Sequence, residues 1–310
     1  MGTIPSQWSA GYARSYHHRA ANLRADAQPP RPDHLRMRRA AGSEQGELLL
    51  TYVGHATVLI DMDGSRILTD PVLRYHFQAL RRHAPDLDLG VLPLLDAVVV
   101  SHFHLDHVNP ASLWLIPPET PLLVPEGGRN VLRRYHFRHV VEMAPGQSVT
   151  VGALTVTATH AEHDGRRYPW SPPTGAVGFL ITGSRQVYFA GDTSLFQGMR
   201  TISDHIDMAL LPVWGWGRMT EDHLSPRDAA RALAMLRPQA AMPIHWGSLL
   251  PQGIHLLKPE LLTGPPEEFA RQAAQLAPQV KVHVVEPGTS LWLPRDPGAV
   301  PRRLAHPANG

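Results

Sequence analysis

The chain has 310 residues, 43% hydrophobic and 18% charged, the balance of a globular protein with a core of its own. It contains no cysteine, which excludes disulfides and thiolate metal sites and fits a reducing cytoplasm. No apolar run is long enough to span a bilayer and no leader-like apolar stretch opens the sequence, so neither a membrane helix nor a signal peptide is expected.

The net charge of +2 is unevenly spread. Residues 1–46 carry seven arginines against Asp26, Asp33 and Glu44, a local +4 that leaves the remainder near −2. This segment reads as a basic extension draped in solvent rather than a nucleic-acid clamp, and a peripheral membrane or polyanion contact through it stays open.

After the arm, "ELLLTYVG", "HATVLIDM" and "SRILTDP" read as three short strands, with Asp63-Gly64 as a tight hairpin turn. "LDAVVVS" is a continuous apolar run, as in a strand covered on both faces. A helix is expected to start at Asn109 or Pro110. "TPLLVP" and "RHVVEM" read as strands flanking a helix over "EGGRNVLRRYHF". "QSVTVGALTVTAT", "AVGFLITG", "RQVYFAG", "DMALLPV" and "QAAMPIH" continue the strand series. "SPRDAARALAMLRP" is the clearest helix, with Ser225 as N-cap and Pro226 at the first helical position. "PPEEFARQAAQLA" reads as a second helix, and "KVHVV" and "TSLWL" as closing strands. One layered domain over residues 47–295 is expected, with a C-terminal tail over 296–310. Three long loops, 160–176, 212–224 and 246–262, interrupt it and are candidates for function.

The stretch "VVVSHFHLDHVNP" ends a buried strand with His102, His104, Asp106 and His107. In extended backbone His102 and His104 project to one side, and four nitrogen or oxygen donors within six residues suit a borderline metal such as zinc. A histidine-rich surface turn explains neither that spacing nor the apolar strand feeding it.

"SHFHLDH", followed in order by "HAEHDGR", "FAGDTS" and "PIHWGS", resembles the metallo-β-lactamase superfamily. With "GHATVLI" and "ILTDP", the pattern over residues 48–293 is most similar to the bacterial branch related to N-acyl-phosphatidylethanolamine phospholipase D and the ascorbate-6-phosphate lactonases. The resemblance implies an α+β fold, a four-layer αββα sandwich with a dinuclear metal site at one sheet edge. It implies that His102, His104 and a histidine of the 160–163 loop hold one ion, with His163 favoured over His160. It further implies that Asp106, His107 and His245 hold the other and that Asp192 bridges them. Two divalent ions are thus expected, zinc by default, with manganese or iron accepted by the same donors. Such a pair sharpens a bridging water into hydroxide, at a separation of roughly 3.5–4 Å. The implied activity is hydrolysis of a phosphodiester, ester or lactone bond in a small or lipid-like substrate.

The expected catalytic residues are Asp106, Asp192 and His223, the last as a proton donor or phosphate grip beside a helix N-terminus. Asp70 is expected to orient a metal-bound histidine, or merely to shape its Asp-Pro turn. His55 either lines the site or is a satisfied core histidine. Trp214, Trp216 and Trp246 could form an apolar substrate wall, and Arg166 and Arg167 an anion grip. Other readings of the same frame are an RNA- or DNA-processing nuclease, a redox di-iron protein and a metal-binding protein without turnover. No inserted nucleic-acid-gripping domain is visible, so no nucleic-acid partner is expected.

Overall fold

The computed structural model describes residues 46–73, 76–77, 80–84, 88–214, 222–251, 260–295 and 302–305. The basic arm, apart from Gly46, lies outside these residues, as does Trp216.

Two large mixed sheets dominate. The first contains β1 (Leu48–Gly54), β2 (Thr57–Met62), β3 (Ser65–Thr69), and after two short strands β4 (His76–Phe77) and β5 (Leu80–Arg82), β6 (Ala97–Val99), β7 (Leu122–Pro125) and β8 (Val140–Met143). The second contains β9 (Ser148–Val151), β10 (Leu154–His160), β11 (Val177–Thr182), β12 (Gln186–Phe189), β13 (Met208–Pro212) and β14 (Ala240–Ile244). The chain then forms β15 (Leu249–Pro251), β16 (Lys281–Val282), β17 (Thr289–Leu293) and β18 (Arg302–Ala305). Spatial orders are β18-β17-β1-β2-β3-β6-β7-β8 and β16-β14-β13-β12-β11-β10-β9, with β15, β5 and β4 in a small third sheet. Each large sheet is antiparallel on one side and parallel on the other.

Alternation along β6 and β7 builds the layers. Ala97, Val99 and Leu123 face the second sheet and pack with Phe179, Ile181 and Phe189. Val98, Val100, Leu122 and Val124 face the other way, against Leu113, Ile116 and Leu132 of the outer helical layer. Both faces of β6 are therefore dry, which is why its sequence reads as an unbroken apolar run. The outer layer holds α1 (Pro110–Leu113) and α2 (Gly128–Leu132), and α3 (Pro226–Leu236) and α4 (Glu260–Leu276) cover the second sheet through Ala229, Leu233, Phe269 and Ala273. The result is the four-layer αββα sandwich.

Local chemistry places the punctuation. Asn109 caps α1 and Ser225 caps α3, each side chain accepting from the backbone N–H three residues on. Asp63 and Gly64, at φ 51° and 77°, form a two-residue turn with both central residues left-handed, joining Met62 to its partner Ser65. A Cβ at Gly64 meets no atom within 4 Å, so only the backbone conformation demands glycine there. Gly64→Ala is expected to lower stability by about 1 kcal/mol, read as a shift in urea midpoint with unchanged m.

Two elements depart from expectation. α4 begins at Glu260, ahead of the expected Pro265-Pro266 start, with both prolines in its second turn. The missing N–H groups remove hydrogen bonds there, and burial of Phe269 and Ala273 holds the helix to the sheet. Arg302–Ala305, expected as part of a tail, pair antiparallel with Thr289–Trp292 as an edge strand. Among the described residues no helix is long and apolar enough to cross a membrane.

Candidate metal centre

Seven loops meet along one edge of the sandwich. His55 occupies the β1–β2 turn, Asp70 follows β3, the His102–His107 segment follows β6 and His163 follows β10. Asp192 follows β12, His223 precedes α3 and His245 follows β14. Strand C-termini are where α/β sheets gather their ligands, because the connections leave a crevice there. Among the described residues, His55, Asp70 and His245 are three of the five non-glycine residues with positive φ, at 56°, 29° and 63°. Such strain persists only where surrounding contacts impose it. Here the His245 N–H donates to the His55 carbonyl at 2.7 Å. Gly191 approaches so closely that a Cβ would lie 2.4 Å from that of Ser101, so "AGD" brings Asp192 in against the first histidine.

Two donor clusters result. In one, His102 Nε2 lies 3.0 Å and His163 Nε2 3.2 Å from His104 Nδ1. In the other, His55, Asp106, His107 and His245 converge, with His107 Nε2 and His245 Nε2 3.2 Å apart and His55 Nε2 3.1 Å from Asp106 Oδ2. Asp192 Oδ2 lies between them, 3.1 Å from His107 Nε2, 3.2 Å from His245 Nε2 and 3.9 Å from His102 Nε2. His223 Nε2 approaches the same oxygen at 3.0 Å.

A further ring of contacts fixes which nitrogen faces inward. His107 Nδ1–H donates to Asp70 Oδ2 at 2.7 Å, leaving Nε2 directed at the cluster. Asp70 also accepts from Ser101 N at 2.7 Å and Ser101 Oγ at 2.6 Å, and Ser101 Oγ touches His102 Nδ1 at 2.9 Å. His163 Nδ1–H donates to the Asp222 carbonyl at 3.0 Å. Carboxylate and carbonyl partners of this kind are how metal-binding imidazoles are oriented.

The residues fit a cation on two counts. Asp192 is 2% exposed, yet its Oδ1 has no hydrogen-bond partner among the described residues. The unprotonated state that a ligand needs is also favoured. Burial, reinforced by the His107 charge, holds His102 well below the usual histidine value. Burial, with help from His163, lowers His104 to about 4, and burial with His245 does the same to His55. Burial pushes Asp106 and Asp192 upward, but His107 and the other surrounding imidazoles outweigh it and hold both well below the ordinary carboxylate value. His107 is the exception: burial opposes its charge, but Asp192 and Asp106 outweigh burial and raise it well above the usual value. Positive charge there faces the buried Asp192 and the half-buried Asp106, and a bound ion would take its place.

Several expectations are resolved by position. His163 joins the first cluster, whereas His160 is exposed, with its Nε2 3.3 Å from Glu162. His163→Ala is therefore expected to weaken binding of one ion by at least ~100-fold in a metal titration, and His160→Ala to leave it unchanged. Asp70 is a buried partner of His107 and not merely a turn residue, and His55 lies within the second cluster. The substrate wall does not include Trp246: it is 4% exposed, packs tilted against Tyr52 with ring centroids 5.9 Å apart, and donates Nε1–H to the Pro243 carbonyl. Trp214 is half-buried at the end of β13. The anion grip is also corrected. Arg166 is spent on Asp164, and Arg167 donates to the Phe103 and Val108 carbonyls, bracing the loop that carries the first histidines. Ser101 was not anticipated; its position before His102 is the one signal that a hydroxyl could serve both Asp70 and that ring.

An αββα sandwich with two histidine–carboxylate clusters at its strand ends defines a metal-binding class of proteins. The family model for the beta-lactamase superfamily domain matches residues 65–246, more than half of the chain, and the chain belongs to that superfamily. It is 32% identical over 250 residues to a UPF0173 metal-dependent hydrolase of Caldivirga maquilingensis, covering 79% of this chain and 98% of that protein. It is 31% identical over 223 residues to the uncharacterized protein Rv0906 of Mycobacterium tuberculosis, covering 66% of this chain and 60% of the relative's length. Among solved structures, the metallo hydrolase Igni18 of Ignicoccus hospitalis is 25% identical with TM-score 0.59, covering 80% of this chain and 99% of that one. CmlA, a diiron β-hydroxylase of Streptomyces venezuelae, shares the fold at 17% identity and TM-score 0.60, over 85% of this chain and 55% of that chain.

Proposed function

We propose that the protein is a metal-dependent hydrolase that cleaves a phosphodiester, ester or lactone bond in a small or lipid-like substrate. The observation that carries this reading is the pair of donor clusters sharing the buried Asp192 Oδ2. His102, His104 and His163 would hold one divalent ion, Asp106, His107 and His245 a second, with His55 beside Asp106 and Asp192 between the two. Zinc suits this set of imidazoles and carboxylates, and manganese or iron would be accepted by it. When bound, such ions supply an activated water near neutral pH and neutralise negative charge that develops on the substrate.

The chain's own groups do the rest. Asp70 and Ser101 lock the tautomers of His107 and His102 before any substrate arrives. Asp192 Oδ2 orients His223 through its Nε2–H, and His223 is largely buried at the site's edge, where a proton can be handed to a departing oxygen. No serine or cysteine nucleophile is required by this arrangement.

The relatives' names as metal-dependent hydrolases support the reaction class. The test is elemental analysis followed by assay on an activated phosphodiester, a lactone and a thioester. Close to two divalent ions per chain are expected, with hydrolysis abolished by dialysis against chelator and restored by adding zinc or manganese. A protein that binds no divalent ion, or that turns over every substrate equally well after chelation, overturns the reading.

A further inference from the structure

His55 stands where the β1–β2 hairpin departs from regular pairing. Tyr52 pairs with Val58 and Gly54 with Thr57, so the register shifts immediately before His55. An irregularity of this kind re-aims the side chains beside it. Gly54 is wedged in place at φ 133°, where a Cβ would lie 3.0 Å from that of Ser248. His55 itself is left-handed, at φ 56°, and 3% exposed. The bend delivers its ring to the His107–His245 side of the metal centre. There its Nε2 lies 3.1 Å from Asp106 Oδ2, and its ring centroid 3.8 Å from that of His245. Its carbonyl accepts the His245 N–H at 2.7 Å. One residue of the first hairpin thus touches donors from two other loops, one after β6 and one after β14.

Asp106 is the donor of this cluster that most needs such a partner. Its side chain is 27% exposed, against at most 2% for those of His107, His245 and Asp192. Among the described residues, the hydrogen-bond partner of its carboxylate is His55. An ionised carboxylate only accepts, so the ring proton of His55 is on Nε2 and the ring donates. His107 Nε2, His245 Nε2 and Asp192 Oδ2 lie 3.1–3.2 Å from one another, with Asp106 Oδ2 3.8–3.9 Å from the two imidazoles. Those four atoms already complete the shell of a four-coordinate ion, which leaves His55 to hold one of them in place. We propose that His55 is a positioning residue, whose Nε2–H fixes the Asp106 carboxylate for the ion that His107 and His245 share. The role presupposes the proposed metal site and holds whichever bond that site cleaves.

The test is titration of the metal-free full chain with cobalt(II), read by visible absorption, for the native protein, His55→Met and His55→Gln. Both replacements are unbranched at Cβ and similar in length, so the left-handed backbone strains them alike, but only glutamine brings an N–H to Asp106. His55→Met is expected to weaken one of two cobalt ions about 10- to 100-fold and leave the other unchanged, with His55→Gln within about threefold of native. In a His163→Ala background, which keeps the ion beside His107, the loss caused by His55→Met is expected in full. Metal-free melting temperatures of the two variants should agree, which separates positioning from packing. Equal losses in the two variants would make His55 a ligand in its own right and overturn the proposal. Weakening of both ions alike, with a lower metal-free melting temperature for His55→Met, would overturn it in favour of packing. Two ions bound as in the native chain by both variants would overturn it and leave the metal site standing, whereas a native chain that binds none would overturn both.

Discussion

Asp192→Asn is expected to lower kcat/KM by about a thousandfold, roughly 4 kcal/mol of transition-state stabilisation, while leaving the fold intact. The substitution keeps the shape and removes the charge that both donor clusters share. It also turns an amide toward imidazole nitrogens that need to present lone pairs. Metal content should therefore fall from near two ions per chain to one or none. A variant that retains both ions and most of its activity would remove Asp192 from the centre of the mechanism.

Asp70→Ala should act first on stability. Asp70, Ser101 and His107 are all at most 1% exposed, and one carboxylate accepts from Ser101 N, Ser101 Oγ and His107 Nδ1. Truncation orphans a buried backbone N–H and leaves a buried imidazole without its partner, at a cost of about 3–5 kcal/mol. A fall in melting temperature of roughly 10 °C follows for a domain of this size. Affinity for the ion beside His107 should drop about 10- to 100-fold. Asp70→Asn should retain more of both, because asparagine tolerates the φ of 29° and keeps an acceptor. Equal losses in the two variants would show that the contacts matter less than the backbone bend.

Much of this architecture was legible because its signals are local. Asp63-Gly64 names its own turn, Ser225 and Asn109 name helix starts, and the unbroken "AVVV" announces a strand dry on both sides. The candidate metal-binding segment is equally local, since His102, His104, Asp106 and His107 share one loop. The choice between His160 and His163 was not. The two histidines are three residues apart; His160 ends β10, turned toward solvent and Glu162, while the Asp222 carbonyl, 59 residues away, holds His163 inward. The tryptophans misled for the same reason. Trp246 follows a candidate site histidine in sequence but packs inward on Tyr52.

Resemblance to the superfamily supplied the order of the later donor segments, while the sequence by itself determined the donors of the His102–His107 segment and the strand and turn series. These depend on periodicity and on chemistry within a few residues. Tertiary structure alone decided which imidazole nitrogens face one another, that Asp192 reaches both clusters and that Arg167 props the histidine loop instead of meeting a ligand. Those facts arise from contacts between residues 31 to 138 positions apart, such as Asp192 with His223 and His107 with His245. Period and propensity tell a side chain which face of its own element it occupies. They carry no information about what the other sheet brings to meet it.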